Sequence, residues 1–457
     1  MAITLRNLLY KLCVAIFLLD VCLLSIVGCQ ETEASQKDYQ RLSKLSQSLS
    51  FDKIIDEFQQ HQWAQLTDPR ILMFYIEALV EREKILPQSL SNASIPEYVR
   101  DFAKAYYLLL NGKHADSLEI FSRIQRDSWK DVGLLEFAMQ TGSTSYMPEP
   151  LAHIERIDKE ERNVIPWALP YYRAFYSFYI GDFSASEKIL KEEKENLDQS
   201  FYFEYSTRLL MTHQNRLSEV EARLKNIPNQ FVNDPNIILL KGEFIDIKYG
   251  SVESAKYLND MVQKYPNMWI LKERSAHALI QAGQVEKGVA ILKTVAKQRK
   301  FDVLTQLALF NVALDYENDK KEITTLAKAL DTHQLRTPYF HLVRAKLHQQ
   351  LNRKERAYKE LAAARRLSPN NKDVLWMESG FAKLWQDWEK AEDTLKEVLE
   401  IDPYNVYAMF GLAEVYHVQN DWDSFLKIVK ALKNSGGFID KEEQQKLDVM
   451  IRDVPET

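Results

Sequence analysis

Leu367-Ser368-Pro369-Asn370 and Ile401-Asp402-Pro403-Tyr404 close two helical stretches in similar wording, with Pro369 and Pro403 34 residues apart. Other markers keep the same interval. Ala345, Ser379 and Ala413 are small residues; Asn352, Gln386 and Asn420 stand where a turn is expected. Ala357, Ala391 and Phe425 fall in the helix that follows, and Trp388 and Trp422 share one further place. Each marker has a physical reason. Small residues in both helices let two backbones approach closely, where a bulky side chain would splay the pair. The turn needs a residue that tolerates a left-handed conformation, usually Gly or Asn. Proline lacks an amide hydrogen and clashes with the preceding turn, so it stops the second helix. Phe425, where a small residue is expected, and Gln386, at a turn, depart from the pattern.

A helix–turn–helix unit of this period resembles the tetratricopeptide repeat. The resemblance implies an all-α fold, an α-solenoid of stacked helix pairs in a right-handed superhelix, with the first helix of each repeat on the inner face. The phase carries upstream. Ala276 and Gly283 repeat the small-to-turn step of seven, with Pro266 ending the helix before. Gly250 and Ala255 take turn and second-helix places behind Pro235, and Ala174/Gly181 and Ala105/Gly112 show the same step. The array therefore begins near residue 98, with degenerate units around 134–160, 200–230 and 303–335. Residues 51–66 and 71–84 read as helices with weak markers. Proline-rich stretches at 86–96, 147–150 and 166–170 read as longer inter-repeat turns. After Gly436-Gly437, residues 440–451 read as a polar capping helix, which an array needs over its last apolar face.

Composition agrees with long helices. Among 457 residues only 13 are Gly and 14 Pro, which argues against a sandwich or barrel. Apolar residues make up 46% and charged residues 27%, so wholesale disorder is excluded. A formal net charge of −6 gives no bulk basic character to draw the chain to nucleic acid.

Residues 1–28 read as an export signal: Arg6 and Lys11, then an apolar run from Leu12 to Val27, then Cys29. Ile26-Val27-Gly28-Cys29 resembles the lipobox of bacterial lipoproteins, which implies cleavage before Cys29 and a diacylglyceryl group on its thiol. Asp20 interrupts the run, and the stretch falls short of the roughly 20 apolar residues of a membrane span. Cys13 and Cys22 leave with the signal, so only Cys29 remains, and no disulfide framework, thiolate metal site or cysteine nucleophile is expected. Gln30, where Asp commonly retains lipoproteins at the inner membrane, implies the outer membrane. The expected organisation is a signal (1–28), a polar tether (29–38), degenerate helical repeats (39–165), a repeat array (166–436, clearest at 338–436) and a capping helix and tail (437–457).

If the repeat resemblance holds, the groove-facing positions are Tyr339, Leu342, Lys346 and Gln349, then Trp376 and Lys383, then Tyr407, Phe410, Glu414 and His417. Aromatics beside mixed charges suit a peptide segment. Some relatives hold a C-terminal carboxylate through paired Lys and Asn on successive first helices; Leu342, Lys346, Trp376 and Gly380 do not reproduce that pairing. The segment 171–183 is dense in aromatics, followed by Phe201, Tyr202, Phe203 and Tyr205; most are expected in the core and some at a surface. No His-Glu-x-x-His, Gly-x-Ser-x-Gly or phosphate-cradling glycine loop occurs. His341 and His348 share a helix face without a third ligand, and Lys293, Lys297, Arg299 and Lys300 complement a helix end. The expectation is no catalysis, cofactor or metal. Instead, a periplasm-facing lipoprotein scaffold would bind partner proteins of an envelope assembly or export machine. The alternatives are a glycan- or cell-wall-binding structural lipoprotein, or an activity in the N-terminal third.

Overall fold

A computed structural model of the chain describes residues 38–39, 41–43, 45–46, 51–58, 68–82, 84–91, 94–156, 168–195, 197–212, 216–266, 268–298, 303–316, 337–435 and 441–455. The export signal, Cys29 and the tether through residue 37 lie outside the described residues, as do 317–336 of the third degenerate unit and Gly436-Gly437.

The described elements are helices and short 3-10 turns, in consecutive pairs. They are α1 (Phe51–Phe58) and α2 (Pro69–Glu81); α3 (Glu97–Leu110) and α4 (His114–Arg123); α5 (Asp127–Thr141) and α6 (Pro148–Ile154). Then come α7 (Ala168–Tyr179) and α8 (Phe183–Glu192); α9 (Gln199–Met211) and α10 (Leu217–Lys225); α11 (Pro235–Tyr249) and α12 (Ser251–Lys264). The last third holds α13 (Trp269–Gln281) and α14 (Val285–Gln298), and α15 (Val303–Tyr316). After it come α16 (Pro338–Gln350) and α17 (Lys354–Leu367), α18 (Lys372–Leu384) and α19 (Trp388–Ile401), and α20 (Val406–Gln419) and α21 (Trp422–Ser435). α22 (Lys441–Arg452) covers the end, inserting Leu447 and Met450 into the core of the last pairs. No helix among the described residues is long and apolar enough to cross a membrane.

The sequence punctuates these pairs chemically. Asp68 at α2 and, at first helices, Asp234, Thr337, Asn371 and Asn405 are side-chain caps, each accepting from an amide of the first turn. Pro69, Pro235 and Pro338 follow at the first helical position, where a missing amide hydrogen costs nothing. First helices end on a left-handed residue: Gly112, Gly181, Gly283, Asn352, Gln386 and Asn420 all have positive φ. At Asn352 the amide bonds back to Gln349 and that of Arg353 to His348, and the same double bond recurs at Gln386 and Asn420. Asp182, Asp387 and Asp421 then cap the second helices.

In six of the pairs, two small residues twelve apart hold the helices together. Ser117, Ser186 and Ser254 donate their hydroxyls to the carbonyls of Ala105, Ala174 and Gly242 at 2.8, 3.0 and 3.0 Å. Ala345/Ala357 and Ser379/Ala391 fill the same place and are fully buried. At Gly288 a Cβ would stand 2.6 Å from the Ala276 carbonyl. Phe425 occupies this position in the last pair and is buried against Trp422 and His417, so that pair takes a larger residue.

Three expectations are corrected. Gly250 has φ 89° and ψ 169°, not the left-handed helical conformation, and it links α11 to α12 by itself. The pair keeps the twelve-residue step with Gly250 in the capping place of α12, so Ser254, not Ala255, sits opposite Gly242. Residues 147–150 are not a turn: Pro148 opens α6, with Pro150 in its first turn. Pro170 likewise lies in the first turn of α7, where amides have no intrahelical partner to lose.

The array coils back on itself. Trp269 Nε1 of α13 donates to Glu81 Oε1 of α2 at 2.6 Å, 188 residues away. Asn370 Nδ2 donates to the Ile180 carbonyl at 2.9 Å, and Thr144 and Ser368 share a hydroxyl bond at 3.1 Å. Apolar packing runs without a break from Leu42 to Leu209, across residue 166.

Candidate functional site

Two regions stand out, a C-terminal face on successive first helices and an N-terminal cavity. In the C-terminal one, the ten expected groove positions divide by environment. Leu342 and Phe410 are 5% and 6% exposed and pack in the cores between helices, unavailable to a ligand. Tyr339 and Gln349 are half-buried, and Tyr339 packs beside Phe340 and Val343. Lys346 Nζ donates to Asn311 Oδ1 of the preceding first helix at 3.0 Å. His417 Nε2 meets Asp453 Oδ2 at 3.0 Å, beyond the capping helix.

The remaining four come together. Trp376 and Tyr407 are 40% and 49% exposed, with ring centroids 6.2 Å apart at 66°. Lys383 Nζ pairs with Glu414 Oε2 at 2.7 Å and lies 5.8 Å from the centre of the Trp376 ring. Gly380 lies between Trp376 and Lys383 on the same helix face, and a Cβ there would meet nothing within 4 Å. The result is an open aromatic face with a cation–anion pair at its edge, and a helical glycine leaves it unobstructed. Of the two histidines on α16, His341 Nδ1 bonds Glu360 Oε2 at 2.7 Å. Among the described residues no three His, Cys, Asp or Glu side chains form a group that could hold a metal.

The N-terminal region is a cavity of about 600 Å³ lined by α2, α3, α5, α7, α9 and the start of α11, with Phe51 of α1 and the segment before it. Its walls are aromatic and apolar: Phe74, Met73, Tyr106, Tyr171, Phe201 and Tyr205. Tyr39, from the segment before α1, reaches in at one side. Its ring packs 5.7 Å from Phe74 and 3.8 Å from the Arg70 guanidinium, and its hydroxyl donates to Asp198 at 3.1 Å. Two carboxyls sit at the back. Tyr106 donates to Glu77 at 2.7 Å and Tyr172 donates to Glu136 at 2.6 Å. Burial pushes both carboxyls up to about 7, against the opposing pull of those hydroxyl bonds. Burial, with the neighbouring carboxylates, also drives the Tyr106 and Tyr172 phenols well above their ordinary range.

Glu77 and Glu136 escaped the sequence reading. The signal was present: each is a lone acid in an otherwise apolar run, Tyr75-Ile76-Glu77-Ala78-Leu79 and Leu134-Leu135-Glu136-Phe137-Ala138. Of the aromatics between 171 and 205, Tyr172, Phe175, Phe201, Phe203 and Tyr205 are buried and only Tyr179 is exposed.

Comparison with known proteins gives a consistent but local answer. Residues 386–445 match the family described as tetratricopeptide repeat. No curated protein is significantly similar in sequence. Among solved structures, the chain is similar to the APC/C hetero-tetramer Cut9-Hcn1 (10% identity, TM-score 0.43, 91% of this chain and 89% of that one). It is also similar to yeast Tom70 (16%, 0.32, 74% and 76%) and to a human IFIT1 dimer with PPP-AAAA (12%, 0.37, 79% and 94%). The chain is an all-helical solenoid of stacked helix pairs whose residues 386–445 match the tetratricopeptide repeat.

Proposed function

We propose that the chain is an exported, lipid-anchored scaffold of the bacterial envelope that holds a partner protein on the open face of α18 and α20. The observation that carries this reading is the exposed Trp376–Tyr407 pair beside the Lys383–Glu414 ion pair, with Gly380 keeping the helix surface clear. Large aromatics left in water next to a fixed charge pair suit an extended or helical segment with apolar anchors. Among the aromatics between 171 and 205 only Tyr179 is exposed, which favours this over glycan stacking.

The anchor is read from Ile26-Val27-Gly28-Cys29, and Gln30 favours the outer membrane, facing the periplasm. Tyr39 stands ten positions after Cys29. At full extension those ten steps reach about 35 Å, so a lipid on Cys29 would keep Tyr39 within that distance of the bilayer.

Two experiments test the reading separately. Cys29→Ala should move the protein from the membrane to the soluble fraction; unchanged retention would overturn the anchor. Photo-crosslinkers placed at Tyr407 in intact cells should capture a defined envelope component. Gly380→Trp should abolish that capture while leaving the fold intact, because the new side chain points into open space. Capture that survives Gly380→Trp would rule out this face.

A further inference from the structure

The N-terminal cavity is independent of the open face on α18 and α20, and its chemistry is different. Its carboxylates outnumber its cations: Glu77, Glu81, Glu136, Asp198, Glu204 and Asp234 line it, against Arg70 alone. Most of these acids are engaged by the fold. Glu81 accepts from Trp269, Glu204 pairs with Arg208, and Asp198 and Asp234 cap α9 and α11. Arg70 is neutralised by Asp68 at 2.7 Å. Glu77 and Glu136 differ. Among the described residues neither forms a salt bridge with Lys, Arg or His; Tyr106 donates to the first, and Tyr172 and Gln140 to the second. Glu136 is only 4% exposed.

We propose that this cavity is a second binding site, taking a cationic segment of a partner chain whose lysine or arginine side chain passes between the aromatic walls to reach Glu77 and Glu136. The volume, about 600 Å³, falls in the range of ordinary ligand sites. Phe74 and Tyr171 line it as aromatic walls against which an alkyl stem can pack. Arg70, stacked 3.8 Å over the Tyr39 ring at the cavity edge, shows the same chemistry already in use by the fold. Folding has already removed water from both carboxyls, which penalises their ionised form. An incoming cation compensates that loss, whereas an anionic or neutral segment leaves it in place.

The test uses the purified full chain and fluorescein-labelled peptides alternating Phe and Lys, with matched peptides carrying Gln or Glu in place of Lys. The Lys peptide should bind, measured by anisotropy, and bind more weakly as salt rises. Glu77→Gln with Glu136→Gln should weaken it by about tenfold or more, the loss of a charge-assisted contact. Met73→Trp, which fills the cavity without removing a carboxyl, provides a second variant should the double one fail to fold; it should also abolish binding. Gly380→Trp should change nothing, which separates this site from the C-terminal face. Absence of Lys-peptide binding, equal binding of the Gln peptide, or unchanged affinity in a folded variant would overturn the proposal.

Discussion

At the residue scale, the most informative positions are those whose chemistry opposes their surroundings. Glu136 carries a carboxyl raised from 4.5 to about 7 by burial. The folded state therefore binds its proton more tightly than the unfolded chain does. Its contribution is fully present below about pH 4.5 and is lost as pH rises through about 7. Glu136→Gln keeps an acceptor for the Tyr172 hydroxyl but cannot ionise. The variant should be more stable than the wild type above pH 7, by at most about 3 kcal/mol, with the difference vanishing near pH 4.5. Denaturant titrations at both pH values check this, and a constant difference would contradict it. Gln386 is a second such position: a non-glycine residue held at φ 59°. Gln386→Gly should raise stability by up to about 1 kcal/mol, read as a higher denaturation midpoint.

At the element scale, the unit is a helix pair closed by two small residues twelve apart. Ala391 is fully buried opposite Ser379. Ala391→Trp should lower stability by roughly 1–3 kcal/mol through overpacking, measured by chemical denaturation. The sequence exposed this element well wherever the turn is seven residues after the first small one. It misled at Gly250 because that residue caps α12 one place after the usual turn position, so the second small residue is Ser254, twelve after Gly242. It also misled at Pro148, Pro150 and Pro170, because proline is a helix breaker only where an amide or a preceding turn is already in place.

At the scale of the whole molecule, coiling brings distant repeats together. Trp269→Phe keeps an aromatic ring but removes the donor to Glu81. The change should cost about 1–2 kcal/mol and speed amide exchange in both α2 and α13. Faster exchange in α13 alone would show that the closure does not couple the two ends. The same coiling gathers acids from α2, α5 and α9 into one cavity, which gives the molecule an acidic, aromatic interior distinct from its open C-terminal face.

Local chemistry determined the helix pairs. Small residues, left-handed turn residues, caps and prolines act over twelve residues or fewer, so their spacing alone announced the solenoid and the all-α class. The proposed export signal is equally local, since Ile26-Val27-Gly28-Cys29 would carry it without reference to any fold. What lines a concave surface is decided by curvature summed over many pairs. Residues at matching positions can therefore part company, as Trp376 is exposed while Leu342 and Phe410, 34 residues to either side, are buried. Only the tertiary structure could place Glu77 and Glu136, 59 positions apart, in one cavity. Their separation along the chain carries no signal, because the interaction arises only once intervening helices have stacked and excluded water.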